Sequence, residues 1–264
     1  MQIGVIGCGK MATALVAGAI RSGAFGKSSI IGFHPSPGGA SFFGEATGVN
    51  IVDDMSALSE CGVFLLCTKP QHSAEALESI KPASPPLIIS VVAGMSLHKL
   101  AAHAPKGSRI IRCMPNTPSL VGEGATGFSL GENTTEEDAK TAETFLGSVG
   151  LALEVPEDQL DAVTGVSGSG PAYIFLVIEA MADAGVRCGL PRAQALRLAA
   201  QTVRGAATMV RDTGTHPGEL KDQVASPGGT TIAGLAALEE GGLRSTLIQA
   251  VTAAAARSKE LGKD

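Results

Sequence analysis

The chain has 264 residues, a formal net charge of −5, 44% hydrophobic residues and 17% charged residues. This length accommodates one large domain or two ordinary ones, and the acidic balance excludes the basic footprint of a nucleic-acid-binding protein. Aromatic residues make up only 3% of the chain, so Ala, Leu, Ile and Val must build the core.

The cysteines and histidines argue against disulfides and metal. The five cysteines include no CxxC pair, which excludes a disulfide framework or a zinc site, and the five histidines lack paired ligand spacing. The N-terminus shows no signal-peptide pattern, and the uncharged run over residues 82–97 contains three prolines. We therefore expect a cytoplasmic protein that has no nucleic-acid or membrane partner.

Strands and helices alternate over the first 156 residues. The predicted strands are Gln2–Ile6, Ser29–Phe33, Val49–Val52, Val63–Cys67, Leu87–Val92, Arg109–Met114, Ala125–Leu130 and Leu151–Val155. The predicted helices are Met11–Ser22, one ending at Gly44–Thr47, Ser56–Cys61, Ser73–Ile80, Leu97–His103 and Thr135–Val149. This alternation predicts an α/β domain over residues 1–156, with a Rossmann-type doubly wound, mostly parallel sheet.

Residues 157–264 are predicted to form an all-helical domain. Its helices are Gln159–Leu190, one from Pro191 to Arg211, Leu220–Val224, Thr231–Glu239 and Leu243–Leu261. The segment Tyr173–Met181 is apolar nearly all round, so it must be buried on several sides. In a helical domain of this size, that composition indicates burial against another subunit.

A glycine-rich turn joins the first strand to the first helix. Gly7, Gly9 and Ala12 form a GxGxxG/A fingerprint in the context that it requires. The first Gly allows the turn, the second lets a pyrophosphate approach, and the small third residue lets the helix pack on the strand. The turn therefore predicts dinucleotide binding, with an ordinary tight turn as the alternative.

The end of the second strand bears on which dinucleotide binds. NAD-binding proteins usually carry an acid here, whereas residues 32–38 contain none. A 2′-phosphate could therefore be accepted with His34 and Ser36 as donors, although no Arg is present to clamp it. The sequence therefore favours NADPH as the cofactor and leaves NADH open. The alternative interpretation of His34 is an ordinary loop residue without a cofactor contact. Asp54, at a loop or helix start, could touch the adenosine.

Three further loops follow predicted strands, where open α/β sheets bind ligands. Residues 68–71 and 90–94 would line the ribose and the nicotinamide. Lys69 would be a counter-charge for a phosphate or carboxylate, or a solvated loop lysine. Asn116, between two prolines, can bond ligand or backbone, so it acts at the nicotinamide end or in a structural turn.

The stretch 220–239 is the most informative in the chain. A helix stops before Ser226-Pro227, two glycines make a tight turn, and Thr230 and Thr231 open the next helix. Free amides at a helix start favour an anion, and the hydroxyls offer directed hydrogen bonds. The stretch predicts a cradle for a small carboxylate.

Other chemistries fit less well. The GxSxG pattern around Ser167 lacks the strand-to-helix context of a nucleophile elbow. A hydroxyacid dehydrogenase needs a catalytic Lys on the helix after the nucleotide domain, and residues 163–181 contain none. A non-catalytic dinucleotide sensor would keep the glycine turn but has no need of the carboxylate cradle.

Together these motifs resemble the pyrroline-5-carboxylate reductase family over essentially the whole chain. The blocks 7–12, 68–71, 90–94, 114–118, 167–173 and 220–239 occur in the family's order, and the last is close to its signature. The resemblance implies hydride transfer from NAD(P)H to the C=N carbon of 1-pyrroline-5-carboxylate, which gives L-proline in the final step of proline biosynthesis. The alternatives are another imine or hydroxyacid dehydrogenase of the superfamily, or the non-catalytic sensor.

The resemblance also implies site residues and assembly. Cofactor contacts fall on Ile6, Gly7, Cys8, Gly9, Lys10, Met11, His34, Ser36, Asp54, Cys67, Thr68, Lys69, Pro70, Val92, Ala93 and Gly94. Substrate contacts fall on Ser226, Gly228, Gly229, Thr230, Thr231 and Asn116, with Thr231 as the catalytic residue at the ring nitrogen. Many members carry Asn where Asp54 stands and Arg where Pro35 stands, which leaves NADH open beside NADPH. The family forms homodimers through its helical half, often assembled further into decamers.

Overall fold

The computed structural model describes residues 1–262, which form eight strands and eleven α-helices. The strands are β1 (Ile3–Ile6), β2 (Ile30–Phe33), β3 (Asn50–Val52), β4 (Val63–Leu66), β5 (Leu87–Ser90), β6 (Arg109–Met114), β7 (Gly124–Leu130) and β8 (Gly150–Glu154). The helices are α1 (Lys10–Arg21), α2 (Pro37–Thr47), α3 (Ser73–Ser79), α4 (Leu97–His103), α5 (Glu136–Gly147), α6 (Leu160–Val163), α7 (Gly170–Arg187), α8 (Arg192–Thr213), α9 (Pro217–Gln223), α10 (Thr230–Glu240) and α11 (Leu243–Leu261).

All eight strands form one sheet in the order β3-β2-β1-β4-β5-β6-β7-β8. Neighbouring strands run parallel except for β6 and β7, which are antiparallel. The order reverses between β1 and β4, and ligands of doubly wound sheets bind at the carboxyl edge beside such a reversal. The predicted fold class is confirmed, and the sheet brings the loops after β1, β2, β4 and β5 to one edge.

Helices cover both faces of the sheet. One apolar core joins β1 and β2 to α1 and α5, with Leu15, Phe43 and Phe145 fully buried in it. The other joins β4 and β5 to α3 and α4, around Phe64 and Leu100. Because both faces are covered, the central strands read as continuous apolar runs, which is why they could be recognised in the sequence.

The helix α5 shows how local sequence sets an element boundary. The Thr135 hydroxyl accepts from the amide of Asp138, whose carboxylate accepts from the amide of Thr135, and these two bonds form a capping box. The same carboxylate accepts from Arg109 Nε at 2.9 Å, which ties the helix start to β6. The predicted first residue, Thr135, is therefore the N-cap.

Most predicted elements are present, with boundaries moved by one to a few residues. The predicted helix Ser56–Cys61 is instead a 3₁₀ turn over Met55–Leu58, capped by the Asp54 side chain. The predicted helix Gln159–Leu190 is interrupted by a π-helical turn over Thr164–Gly168. A Gly-Ser-rich sequence accommodates this irregular turn, whereas periodicity alone gives no sign of it.

The chain divides into two compact units. The first comprises Met1–Ser169 and the described residues from Ala253 onward, and the second comprises Gly170–Thr252. The sequence boundary between residues 156 and 157 marks the change from sheet to helices, but α6 still belongs to the first unit. A Cβ added to Gly127 of β7 would lie 2.8 Å from Val163 Cγ1, so α6 packs directly on the sheet.

The second unit has a small core of its own. Its buried residues are Ala182, Ala195 and Ala199, where α7 and α8 pack closely. Large apolar side chains on α7 remain exposed, including Phe175 at 63% and Leu176 at 65%. Among the described residues, only Glu157–Arg187 is long and apolar enough to cross a membrane, which is weak evidence because soluble core helices pass the same test.

Candidate active site

The glycine turn after β1 fits the sheet edge closely. Gly7 has φ +89°, and a Cβ there would lie 2.8 Å from the backbone of Cys67 and Thr68. A side chain at Gly7 is therefore excluded by both conformation and space. Gly7 also donates its amide to the Phe33 carbonyl at 3.1 Å, so the turn is fixed between the ends of β2 and β4.

Gly9, unlike Gly7, has free space around the position that a side chain would take. It is the N-cap of α1, no side chain caps this helix, and no acid occupies its first turn. Nothing lies within 4 Å of the position that a Gly9 Cβ would take. The start of α1 therefore offers backbone amides and free space, and this combination fits the pyrophosphate of a dinucleotide.

The loops after β4 and β5 complete this edge. The amide of Cys67 donates to the Ile6 carbonyl at 2.8 Å, and the Thr68 hydroxyl donates to Ser73 Oγ at 3.2 Å. Lys69 and Pro70 are exposed at the start of the next turn. After β5, Val92, Ala93 and Gly94 line a cavity of about 290 Å³ within the first unit. The structure thus places these predicted cofactor residues along one edge of the sheet.

His34 and Ser36 meet at the start of α2. Ser36 caps the helix by accepting from the Gly39 amide, and its own amide donates to His34 Nδ1 at 3.0 Å. In the neutral imidazole the hydrogen then lies on Nε2, which leaves this atom as a donor. An imidazole donor beside the start of a helix suits a phosphate group.

Asp54 follows β3 and caps the 3₁₀ turn. Its Oδ1 accepts from the Ser56 amide at 2.8 Å, and this hydrogen bond lowers the pKa of the exposed carboxyl. Asp54 is therefore negatively charged at neutral pH. Its predicted contact with the adenosine would be a hydrogen bond accepted from a ribose hydroxyl.

The cysteines at this edge are chemically quiet. Burial raises the pKa of the Cys8 thiol to about 12, and its sulfur lies 3.3 Å from the Phe33 carbonyl oxygen. Burial also raises the pKa of Cys67 and Cys113. Because the thiolate is the reactive form, these side chains act by packing, and only the backbone of Cys8 and Cys67 remains for a cofactor.

Asn116 is engaged inside the first unit. Its Oδ1 accepts from the Ala125 amide at 2.9 Å, and its Nδ2 donates to the Ser167 carbonyl at 3.0 Å. The side chain is buried and joins the loop after β6 to the π-helical turn. This geometry favours the alternative of a structural turn, and the predicted substrate contact of Asn116 stays a prediction.

The predicted carboxylate cradle lies in the second unit, at the start of α10. Gly228 has φ +66°, and a Cβ on Gly229 would lie 2.2 Å from Ser226 Oγ, so the turn folds tightly onto the Ser226 hydroxyl. Gly229 is the N-cap of α10, without a side-chain cap or an acid in the first turn. Within residues 1–262, the hydroxyls of Ser226, Thr230 and Thr231 make no intramolecular hydrogen bond.

The free hydroxyls at the start of α10 contrast with several other hydroxyls of the helical half. Thr202, Thr213 and Thr246 each donate to a backbone carbonyl four residues earlier. The hydroxyls at the start of α10 instead accompany unpaired helix amides. This combination can bind a carboxylate and also reach an adjacent polar atom. The fold and these two sites define the class of protein: a dinucleotide-dependent oxidoreductase acting on a small carboxylate.

Comparisons with known proteins identify the family. A family model described as pyrroline-5-carboxylate reductase dimerisation matches residues 157–261, and one described as NADP oxidoreductase, coenzyme F420-dependent, matches residues 2–94. The pyrroline-5-carboxylate reductase of Pisum sativum is 48% identical, covering 98% of this chain and 95% of the relative. The chain belongs to the pyrroline-5-carboxylate reductase family.

Solved structures agree with this assignment. A pyrroline-5-carboxylate reductase from Coxiella burnetii is similar at a TM-score of 0.93 and 38% identity, covering 100% of this chain and 99% of that one. A pyrroline carboxylate reductase from Plasmodium falciparum, solved with NADP bound, is similar at a TM-score of 0.87 and 34% identity. The match covers 99% of this chain and 98% of that one.

Sequence reasoning missed the contacts that support the loop after β5. Glu157 Oε1 accepts from the Leu97 amide at 2.6 Å and from Arg112 Nη1 at 2.9 Å. The end of α11 also lines the cavity beside Gly94. These partners are far apart in the chain and follow no motif, so no pattern in the sequence could have paired them.

We predict that Gly7→Ala and Gly9→Ala have different effects. Gly7→Ala combines a positive φ with a backbone clash, so unfolding free energy should fall by about 1–3 kcal/mol. Gly9→Ala should fold normally but weaken NADPH binding by about tenfold or more, because the methyl group occupies the phosphate space. Urea unfolding and fluorescence titration with NADPH measure the two effects. Equal stability of the two variants would contradict the geometry.

Proposed function

We propose that this chain reduces 1-pyrroline-5-carboxylate to L-proline with NADPH as the hydride donor. The observation that carries the proposal is the start of α10, where the Ser226–Gly229 turn and two free threonine hydroxyls surround unpaired helix amides. A ring that bears a carboxylate next to an imine nitrogen matches this donor set. Membership of the reductase family supports the same substrate.

The carboxylate binds to the helix start. The amide of Thr230 and the hydroxyl of Ser226 donate to its oxygens, and the helix dipole favours the negative charge. The Gly229 amide instead closes the turn by donating to the Ser226 carbonyl at 3.0 Å. Because Gly229 fits closely against Ser226 Oγ, the turn holds these donors without rearrangement. Binding the carboxylate in this way fixes the ring in one orientation, and orientation accounts for a large share of catalysis when no strong acid is needed.

The Thr231 hydroxyl binds the ring nitrogen. Protonation of this nitrogen makes the adjacent carbon a better hydride acceptor, so an enzyme that binds the iminium needs only to position it. Thr231 is half-buried at the first turn of α10, one residue beyond the proposed carboxylate contact of Thr230. Its free hydroxyl oxygen accepts a hydrogen bond from the iminium N–H, and this contact fixes the position of the nitrogen.

The cofactor residues of the first unit hold NADPH, which supplies the hydride when bound. Gly9 and the start of α1 accommodate the pyrophosphate, and the loops after β4 and β5 line the ribose and nicotinamide. His34 Nε2 and the start of α2 bind the 2′-phosphate. Asp54 accepts a hydrogen bond from a ribose hydroxyl, and its negative charge repels a 2′-phosphate. Asp54 therefore opposes the preference for NADPH over NADH that His34 supports.

We predict that Thr231→Ala lowers turnover by about 100-fold and leaves NADPH affinity nearly unchanged, since only the nitrogen contact is lost. Thr231→Ser, which retains the hydroxyl, should restore most of the activity. Steady-state kinetics and NADPH titration of both variants provide the measurement. Thr144→Ala is the matched control, because its hydroxyl only bonds to the Lys140 carbonyl of its own helix. Unchanged turnover in Thr231→Ala would remove Thr231 from the mechanism.

We predict that kcat/KM is higher with NADPH than with NADH, and that His34→Ala lowers this ratio by about tenfold through loss of a charge-assisted bond. The effect should be confined to NADPH, because NADH lacks the 2′-phosphate. His98→Ala, at an exposed histidine of α4, is the control. An unchanged ratio in His34→Ala would assign the preference to another group.

We further propose that the chain assembles as a homodimer through its helical half. The exposed apolar side chains of α7 support this, because a small alanine core cannot cover them. Analytical ultracentrifugation should give at least twice the mass of one chain, and a decamer would appear as ten times this mass. A monomer at micromolar concentration would contradict the proposal.

A further inference from the structure

The end of α11 lies directly on the loop that follows β5. Gly94 in this loop has φ +76°, and the Leu261 carbonyl oxygen lies 3.5 Å from the position of an added Gly94 Cβ. A Cβ on Gly262 would likewise lie 3.9 Å from the Gly94 carbonyl oxygen. We call Ser258, Leu261 and Gly262 the C-terminal latch.

Two side-chain hydrogen bonds fasten the latch to the first unit. Ser258 Oγ donates to Asp161 Oδ1 at 2.6 Å, and Lys99 Nζ donates to the Gly262 carbonyl at 2.9 Å. The second bond places an ammonium group at the carbonyl end of a helix, where a positive charge is favoured. Lys99 belongs to α4, which begins at Leu97 shortly after the Gly94 loop. One side chain thus links the latch to the element that ends this loop.

The latch also shapes the cavity beside the loop. Val92, Ala93 and Gly94 form one wall of the 290 Å³ cavity, and Ser258 and Leu261 line it from α11. The other end of the segment is held as well, because the Leu97 amide donates to Glu157. The backbone of Val92–Gly94 therefore has fixed neighbours on both sides, and Lys99 maintains the contact on the latch side.

We propose that Lys99 is a positioning residue for the cofactor. By holding the C-terminal latch against Gly94, it keeps the backbone of Val92–Gly94 in the conformation that receives the nicotinamide end of NADPH. This inference rests on the proposed function only in naming the cofactor. Lys99 itself touches neither cofactor nor substrate, and it acts through the Gly262 carbonyl and the Gly94 loop.

The test compares Lys99→Met, Lys99→Arg and the wild-type chain. Lys99→Met keeps much of the side-chain length but cannot donate, so we expect the Kd and KM for NADPH to rise about three- to tenfold. The kcat at saturation and the KM for pyrroline-5-carboxylate should stay unchanged. Lys99→Arg should restore NADPH affinity, because its guanidinium donates to the same carbonyl. Ser258→Ala should shift the NADPH affinity in the same direction as Lys99→Met.

Hydrogen–deuterium exchange without cofactor gives a second readout. Exchange over residues 91–96 should be faster in Lys99→Met than in the wild type, with no change over β1. The control is Lys81→Met. Lys81 follows the end of α3, and its Nζ donates a similar hydrogen bond to the carbonyl of Glu78 in the last turn of that helix. This control should leave both NADPH affinity and exchange at 91–96 unchanged.

The outcomes are distinguishable. A wild-type chain that binds NADPH but does not reduce pyrroline-5-carboxylate overturns the proposed function, while the binding and exchange measurements still test the latch. Equal NADPH affinity and equal exchange at 91–96 in Lys99→Met and wild type would overturn the proposal that Lys99 positions the Val92–Gly94 backbone. Faster exchange throughout the first unit would show a general stabilising role and also overturn it.

Discussion

The close approach of Gly7 to the end of β4 is the constraint on which the nucleotide-binding edge depends. No side chain fits between Gly7 and the backbone of Cys67 and Thr68, so the turn after β1 lies directly against the neighbouring strand. This contact occurs where the strand order reverses, and it directs the start of α1 toward the same edge as the loops after β4 and β5. A larger residue at this position would displace both the helix start and the loop.

The starts of α1 and α10 both suit an anion, but they differ in the space and the donors that they offer. At α1, backbone amides face open space beside Gly9, which suits a large pyrophosphate. At α10, the Gly229 turn closes on Ser226 and adds free hydroxyls, which suits a small carboxylate with a polar neighbour. Both helices lack an acidic residue in the first turn, so no carboxylate there would repel a bound anion. The proposed binding in both cases depends on backbone geometry more than on charged side chains.

The apolar surface of the second unit follows from its composition. Its helices pack through alanines and glycine, with Gly185 and Ala195 in close contact. Small residues bring helices together but bury little area, so the larger side chains of α7 face outward. A chain built in this way needs a partner to cover those side chains, consistent with the dimerisation model that matches this region.

The sequence by itself determined the sheet, the glycine turn and the two helix starts that are proposed to bind anions, because strand alternation, GxGxxA and Ser-Pro-Gly-Gly-Thr-Thr are local patterns with local physical causes. Tertiary structure decided the rest. It engaged the Asn116 side chain with Ala125 and Ser167, brought Glu157 to the start of α4, and joined Lys99 to Gly262. These contacts link residues far apart in the chain, and only the packing of the folded unit determines which polar groups find each other.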